Sequence, residues 1–164
     1  MKLLNTSVYK FIHISFLVLC SHNTNAQEDN LIEGYWLTSA SIVVVKKCDN
    51  ELCATIEHIF VEEGVDPKSI LDTNNKKKSL RNRPLVGINL LEGFEYSQSS
   101  ETHYKEGKIY DPGRGRVFKS NLQLLENGNL KVEGCLMRVC GHEEWQPLNI
   151  ILNKDGTRSA EPKN

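Results

Sequence analysis

Short runs of β-forming residues, each ended by turn residues, fill the chain from residue 33 to residue 152. Asn127-Gly128, between Leu-Gln-Leu-Leu and Leu-Lys-Val, is the strongest hairpin signal, because both residues tolerate the backbone of a two-residue turn. Strands are predicted at 41–47, 52–60, 86–91, 102–110, 116–125, 130–136 and 144–152. No sustained helical period competes with this pattern, so we predict an all-β protein of about eight antiparallel strands, a closed barrel or a sandwich.

Residues 1–26 have the composition of a cleavable export signal. Two lysines and an apolar run at 11–20 come before the first acidic residue, Glu28, and the small Ala26 fits a cut before Gln27. The apolar run is too short to cross a bilayer, which requires about 20 residues. We therefore predict no transmembrane span and a periplasmic or secreted protein.

The end of the apolar run leaves a second form of export open. Leu-Val-Leu-Cys at 17–20 loosely resembles a bacterial lipoprotein box, which would make Cys20 a lipid anchor. Such boxes place a small residue before the cysteine, where this chain has Leu19. Cleavage before Gln27 is therefore the main prediction and anchoring at Cys20 is the alternative.

The remainder of the chain has the size of one domain. Residues 27–153 are predicted to form a single barrel, and 154–164, without a large apolar residue, a flexible tail. Since the signal takes away two lysines and no acid, 18 basic and 21 acidic residues remain. This acidic excess argues against nucleic acid as a partner.

Four cysteines remain after the signal: Cys48, Cys53, Cys135 and Cys140. An even number in an exported chain indicates disulfides, for which three connectivities exist. Each pair lies at a predicted hairpin, so we predict that each pair closes its own hairpin. A metal site is not expected, because His142 alone lies near the second pair and zinc sites require more ligands.

No catalytic constellation is visible in the sequence. A nucleophile elbow, a P-loop and a dinucleotide-binding glycine pattern are all missing, and pairing of the cysteines leaves no free thiol. His58, His103 and His142 lie on different predicted segments. We therefore expect a protein that is not an enzyme and holds no cofactor.

The long connection at 61–84 contains the first candidate ligand-binding residues. Arg81 and Arg83 lie on a segment that Pro84 biases toward an extended backbone, so both point to one side. Their guanidinium groups suit a carboxylate or a phosphate. Alternatively, they pair with acidic residues and hold the connection on the barrel. The acids available for such pairs are Asp66, Asp72 and Asp111.

Tyr110 and Asp111 are two further candidates for ligand binding. They end a predicted strand at the turn Tyr-Asp-Pro-Gly, where the Asp side chain can cap its own backbone and Pro sets the first dihedral angle. This pattern is turn chemistry first, and a catalytic role for Asp111 would need a second titratable group nearby, which the sequence does not show.

Gly34-x-Trp36, ahead of this strand pattern, resembles the signature of lipocalins and their calycin relatives, in which the Trp closes one end of the barrel. The wider series of motifs resembles the exported bacterial family of unknown function DUF2147 over about residues 33–147. The motifs comprise Gly34-x-Trp36, Cys48, Leu52-Cys53-Ala54, Asp72, Asn75, 80–87, Leu91-x-Gly93-Phe94, 107–112, Gly115-Arg116, Phe118, Gly134-Cys135, Cys140-Gly141 and Trp145. The resemblance implies a lipocalin-like barrel, a structural Trp36 and an envelope location. It does not imply a particular biochemical activity.

Together these features predict a lipocalin-like binding protein for a small amphipathic or fatty-acid-like ligand. The ligand would place its tail inside the barrel and its head at Arg81 or Arg83. The alternative is an envelope interaction protein with a filled barrel, which binds another protein through the 61–84 connection. An open apolar interior would favour the first hypothesis and a packed interior the second.

The export prediction is testable on the protein recovered from cells. We expect N-terminal sequencing to begin within one or two residues of Gln27, because the small Ala26 precedes the predicted cut. A lipid-modified Cys20 at the N-terminus would contradict this prediction and support the anchored form.

Overall fold

The computed structural model describes residues 30–96 and 102–163. The predicted signal at 1–26, Cys20 and Gln27 lie outside the described residues. The strands are β1 (Gly34–Leu37), β2 (Ser41–Cys48), β3 (Glu51–Ile59), β4 (Leu91–Glu92), β5 (His103–Asp111), β6 (Arg116–Leu124), β7 (Leu130–Leu136), β8 (Val139–Leu152) and β9 (Arg158–Pro162). Two single-turn 3-10 helices, Pro67–Ser69 and Lys78–Leu80, lie in the long connection. Among the described residues no helix is long and apolar enough to cross a membrane.

The strands form one antiparallel sheet in the order β3-β2-β1-β8-β7-β6-β5-β4, with β9 added to β8. The sheet curls until β3 meets the segment that contains β4. The Leu52 N–H donates to the Phe94 carbonyl at 2.9 Å, and the Leu90 N–H donates to the Ala54 carbonyl at 2.7 Å. These hydrogen bonds nearly close the barrel, and the predicted all-β antiparallel barrel is confirmed.

The predicted strand at 86–91 is mostly irregular, and regular pairing is limited to β4. Gly87 has a φ of 91°, which a regular strand does not accommodate. Asn89 replaces part of the ladder with its side chain, whose Oδ1 accepts a hydrogen bond from the Ala54 N–H at 2.9 Å. The segment therefore follows β3 closely without being a regular strand.

The C-terminal segment is bound to the barrel, contrary to the prediction of a flexible tail at 154–164. Asn153 N–H donates to the Thr157 carbonyl at 2.8 Å, and Gly156 has a φ of 83°. Asp155 accepts a hydrogen bond from the Thr157 N–H at 2.9 Å. This Asp-Gly turn returns the chain as β9, which pairs with β8 through its backbone and needs no apolar side chain.

The end of the barrel nearest the start of β1 is filled with side chains. Trp36, in the predicted structural position, is buried and donates from its indole nitrogen to the Ile32 carbonyl at 3.0 Å. Phe94 lies directly over Gly107, where a Cβ atom would approach the aromatic ring to 2.5 Å. A glycine in β5 therefore makes room for the buried Phe94 ring.

Both predicted cysteine pairs form disulfides in the structure. Cys135 and Cys140 lie directly opposite each other in the β7–β8 hairpin, with Cα atoms 4.0 Å apart. Cys48 and Cys53 connect β2 and β3 diagonally, with Cα atoms 5.8 Å apart. Each disulfide therefore closes its own hairpin.

A buried carboxylate, that of Asp72, holds the long connection on the barrel. Its side chain is fully buried and forms an ion pair with Arg83 at 2.8 Å. The Tyr110 hydroxyl on β5 donates to one carboxylate oxygen, and the Asn75 side chain donates to the other at 2.7 Å. The Asp72 carboxylate thus binds groups from the connection and from β5, and it fixes the connection to the barrel.

The same hydrogen bonds shift two pKa values in opposite directions. Burial works to raise the pKa of Asp72, but hydrogen bonds from Tyr110, Asn75 and Arg83 outweigh it and hold this pKa below its usual 3.8. Burial, with the Asp72 hydrogen bond and charge, raises the pKa of Tyr110 to about 12. At neutral pH the network therefore contains an ionised Asp72 and a neutral Tyr110.

Asp72→Asn is expected to destabilise the protein by about 2–3 kcal/mol, because it leaves Arg83 without its partner. The loss is smaller than for a fully buried pair, since the Arg83 side chain is 36% exposed. The lowered pKa of Asp72 means that its charge stabilises the fold above pH 3.8 and that this contribution fades as pH falls through the folded value.

Urea unfolding followed by tryptophan fluorescence measures this effect. The stability difference between wild type and Asp72→Asn should shrink between about pH 7 and about pH 3. Asp49→Asn, at an exposed turn position that Asn tolerates, is the matched control and should cost less than about 0.5 kcal/mol. A pH-independent difference would contradict the stabilising role of the Asp72 charge.

Non-reducing peptide mapping checks the disulfides in solution. Cleavage after Glu51 and after Arg138 separates the two cysteines of each pair, so each pair should appear as two peptides joined by one disulfide. Because the closed loops are short, we expect the removal of either disulfide to cost at most about 2–3 kcal/mol. A disulfide between the two hairpins would contradict the structure.

Candidate functional site

The other end of the barrel encloses a cavity of about 1500 Å³. It opens between the β1–β2 loop, the β5–β6 hairpin and the β7–β8 hairpin, at the end remote from the filled half. By strand register, Val132 on β7 and Trp145 on β8 lie deepest, and Trp145 is 2% exposed. The barrel therefore has one packed half and one open half.

The wall of the cavity is largely apolar. Its apolar lining includes Ile56, Ile59, Leu85, Leu90, Ile109, Phe118, Val132, Leu136 and Trp145. Gly134 on β7 adds no side chain to the wall, and a Cβ atom there would lie 3.6 Å from Ile109 and from Phe118, at ordinary contact distance. A surface of this kind suits the hydrocarbon part of a ligand.

Glu143 is a carboxylate within the wall, and both of its oxygens accept hydrogen bonds. Oε1 accepts from the Ser39 N–H at 2.7 Å, and Oε2 accepts from the Trp145 indole at 3.2 Å. Glu143 therefore links the β1–β2 loop to the wall and orients Trp145. Glu143 is not among the residues predicted from sequence, because the predicted strand begins at residue 144, whereas alternation back from Trp145 would have placed Glu143 inside the barrel.

Three arginines, Arg114, Arg116 and Arg138, lie at the mouth of the cavity. Arg114 forms an ion pair with Asp111 at 2.7 Å. Arg116 and Arg138 are exposed and form no ion pair with any residue that the structure describes. The mouth is therefore cationic, and the sequence signal was the placement of these arginines at hairpin ends.

The four predicted ligand-binding residues fall into two groups. Tyr110 and Asp111 line the cavity. Arg83 is paired with Asp72, and the Arg81 Nε donates to the Asn75 carbonyl at 2.8 Å. Neither Arg81 nor Arg83 lines the cavity, so the structure shows the loop-holding arrangement for Arg83, and a ligand contact by either residue stays a prediction.

Within residues 30–96 and 102–163, one cluster has atoms close enough for metal ligation. Glu133, Cys135 and Cys140 place their ligand atoms within 4.8 Å of one another. Both sulfur atoms are part of a disulfide, so they are not thiolates and cannot ligate as such. In the oxidised protein this cluster offers a single carboxylate.

Residues 34–147 match a protein family described as "Uncharacterized protein conserved in bacteria (DUF2147)". A comparison with curated proteins found no significant match. Among solved structures, the chain is similar to one described as "Protein HP1028 from the human pathogen Helicobacter pylori belongs to the lipocalin family". The TM-score is 0.60 at 20% identity, over 71% of this chain and 82% of that chain.

At that level of identity the structural likeness establishes the fold, which is a lipocalin-like barrel. The family match extends from β1 into β8 and includes the hairpins at the cavity mouth. This chain belongs to the DUF2147 family.

Proposed function

We propose that this protein is an exported binding protein that holds a small amphipathic ligand, such as a long-chain fatty acid, in the open half of its barrel. The supporting observation is the combination of a cavity of about 1500 Å³, an apolar wall and a cationic mouth. Lipocalin-like barrels have the size that admits one small ligand. The ligand class follows from the wall and the mouth together.

The wall and the mouth assign different parts of such a ligand to different residues. The hydrocarbon tail lies against Phe118, Val132 and Trp145, and the carboxylate head meets Arg116 at the mouth. Arg114 contributes less, because its guanidinium is already engaged by Asp111. The anion-binding position is thus moved from Arg81 and Arg83, where the sequence analysis expected it, to the β5–β6 hairpin.

The open half of the barrel supports ligand binding over the interaction-protein alternative. A filled barrel would have left the long connection as the main binding surface. Instead, Asp72 and Asn75 tie this connection to β5. We propose that binding occurs inside the barrel and that the protein binds its ligand without transforming it.

The proposal places the protein in the periplasm or outside the cell. Two disulfides are stable in those compartments and are rare in the reducing cytosol. The composition of residues 1–26 supports the same location.

Displacement of a fluorescent fatty acid by oleate tests whether the cavity is the binding site. Gly134→Leu should weaken oleate binding at least about tenfold, because its side chain would occupy the space that Gly134 leaves open. Gly134→Ala is the matched control, since its added methyl group has only ordinary contacts. No measurable binding by wild type, or equal binding by all three proteins, would contradict the proposal.

Comparison of oleate with oleyl alcohol, which lacks the carboxylate, tests the head-group contact. Arg116→Gln should weaken oleate binding about fivefold to tenfold, a modest effect because the site is exposed, and should leave oleyl alcohol unaffected. Arg81→Gln tests the position expected from sequence. If Arg81→Gln weakens the binding of oleate but not of oleyl alcohol, and Arg116→Gln weakens neither, the head group lies at the long connection. That result would refute the assignment to the mouth.

A further inference from the structure

The turn of the β7–β8 hairpin carries three exposed apolar side chains beside the cavity mouth. Leu136, Met137 and Val139, hereafter the apolar tip, are 47%, 96% and 77% exposed. All three also border the cavity. Soluble proteins scatter single apolar residues over their surfaces, but a contiguous group at a mouth indicates a contact surface.

The turn itself favours a different residue at its tip. Leu136 and Val139 pair across the hairpin, so Met137 and Arg138 form a two-residue turn, and Met137 has a φ of 54°. Hairpin turns of this kind prefer Asn or Gly, which tolerate positive φ better than Met does. The chain therefore holds a large apolar side chain outward against the local preference, as is common at functional sites.

The neighbourhood of the apolar tip is rigid and cationic. The Cys135–Cys140 disulfide joins the two strands directly behind it. Arg138 lies within the turn, and Arg116 lies at the same mouth. Each of the three nearby carboxylates already accepts a hydrogen bond or an ion pair: Asp111 from Arg114, Glu143 from Ser39 and Trp145, and Glu133 from the Asn121 side chain.

We propose that the apolar tip docks on the surface of a lipid bilayer that contains anionic lipids, with the cavity mouth facing the membrane. Apolar side chains enter the interface between headgroups and acyl chains, and the arginines bind anionic headgroups. A braced hairpin loses little conformational freedom when it docks. The inference extends beyond ligand binding, because docking requires no ligand in the cavity.

Sedimentation with phosphatidylcholine vesicles, with and without phosphatidylglycerol, tests this proposal. The protein is the processed chain recovered from an exporting host, with its mass verified, so that all variants share one N-terminus. Met137→Asn keeps a residue suited to positive φ and should weaken binding about tenfold. Arg138→Gln should weaken binding about fivefold, and only to vesicles that contain phosphatidylglycerol.

Two matched controls lie at or just beyond the far end of β8. Leu152 is 73% exposed and is about 40 Å along the strand from the apolar tip, so Leu152→Asn should bind vesicles as wild type does. Lys154→Gln removes one exposed positive charge from the same region and should have no more than a small effect. Higher salt should weaken wild-type binding to the anionic vesicles.

Three results would overturn the proposal: no vesicle binding by wild type, equal binding by Met137→Asn, or equal losses in Met137→Asn and Leu152→Asn. Sedimentation velocity adds a further arm, since dissociation of a dimer by Met137→Asn would make the apolar tip a contact between copies of this chain. Oleate displacement in the same preparations separates the two proposals. Vesicle binding without oleate binding would refute the proposed fatty-acid ligand and would still support membrane docking by the apolar tip.

Discussion

The buried charge of Asp72 is the constraint on which the open half of this barrel depends. It lies in the longest connection of the chain but receives hydrogen bonds from β5 and from within the connection itself. An ionised carboxylate without these partners would be costly to bury, so the burial of Asp72 requires the connection and β5 to come together. Because Tyr110 and Leu85 line the cavity, this one contact sets the position of a cavity wall.

The interior is divided because large side chains fill one end, whereas at the other end Phe118 and Trp145 line a cavity. Phe94 and Trp36 fill the end nearest the start of β1, with Gly107 making room for Phe94. Beyond Trp145, the wall contains Gly134 in place of a large residue, and Glu143 is held by the backbone of the β1–β2 loop. The Glu143 carboxylate is satisfied by these donors without any ligand, which leaves the apolar wall as the surface that a ligand can dehydrate.

Local sequence signals predicted most of the fold, and long-range contacts account for what they missed. Asn127-Gly128 located the β6–β7 hairpin because turn chemistry is local, although the turn contains three residues, 126–128, with Gly128 at a φ of 81°, and not the two that were predicted. The attachment of β9 had a local signal too, Asp155-Gly156, which the polar composition obscured. By contrast, Arg83 had several acids within reach in the sequence, and its pairing with Asp72 depends on backbone pairing within the connection, where the Asp72 N–H donates to the Arg83 carbonyl at 3.0 Å. The arginines at the mouth converge only after the sheet closes, so spacing could not reveal them.

The two hairpins at the mouth differ in how their turns are stabilised, and this difference indicates separate roles. The β5–β6 turn contains Asp111, whose side chain accepts from the Arg114 N–H at 3.0 Å, and Gly115 allows the long connection to approach closely. The β7–β8 turn has an apolar residue at positive φ and a disulfide behind it. A disulfide that closes so short a loop restrains the unfolded chain weakly compared with one that closes a long loop. Its main physical effect is therefore local, holding the turn in a conformation that its own residues do not favour.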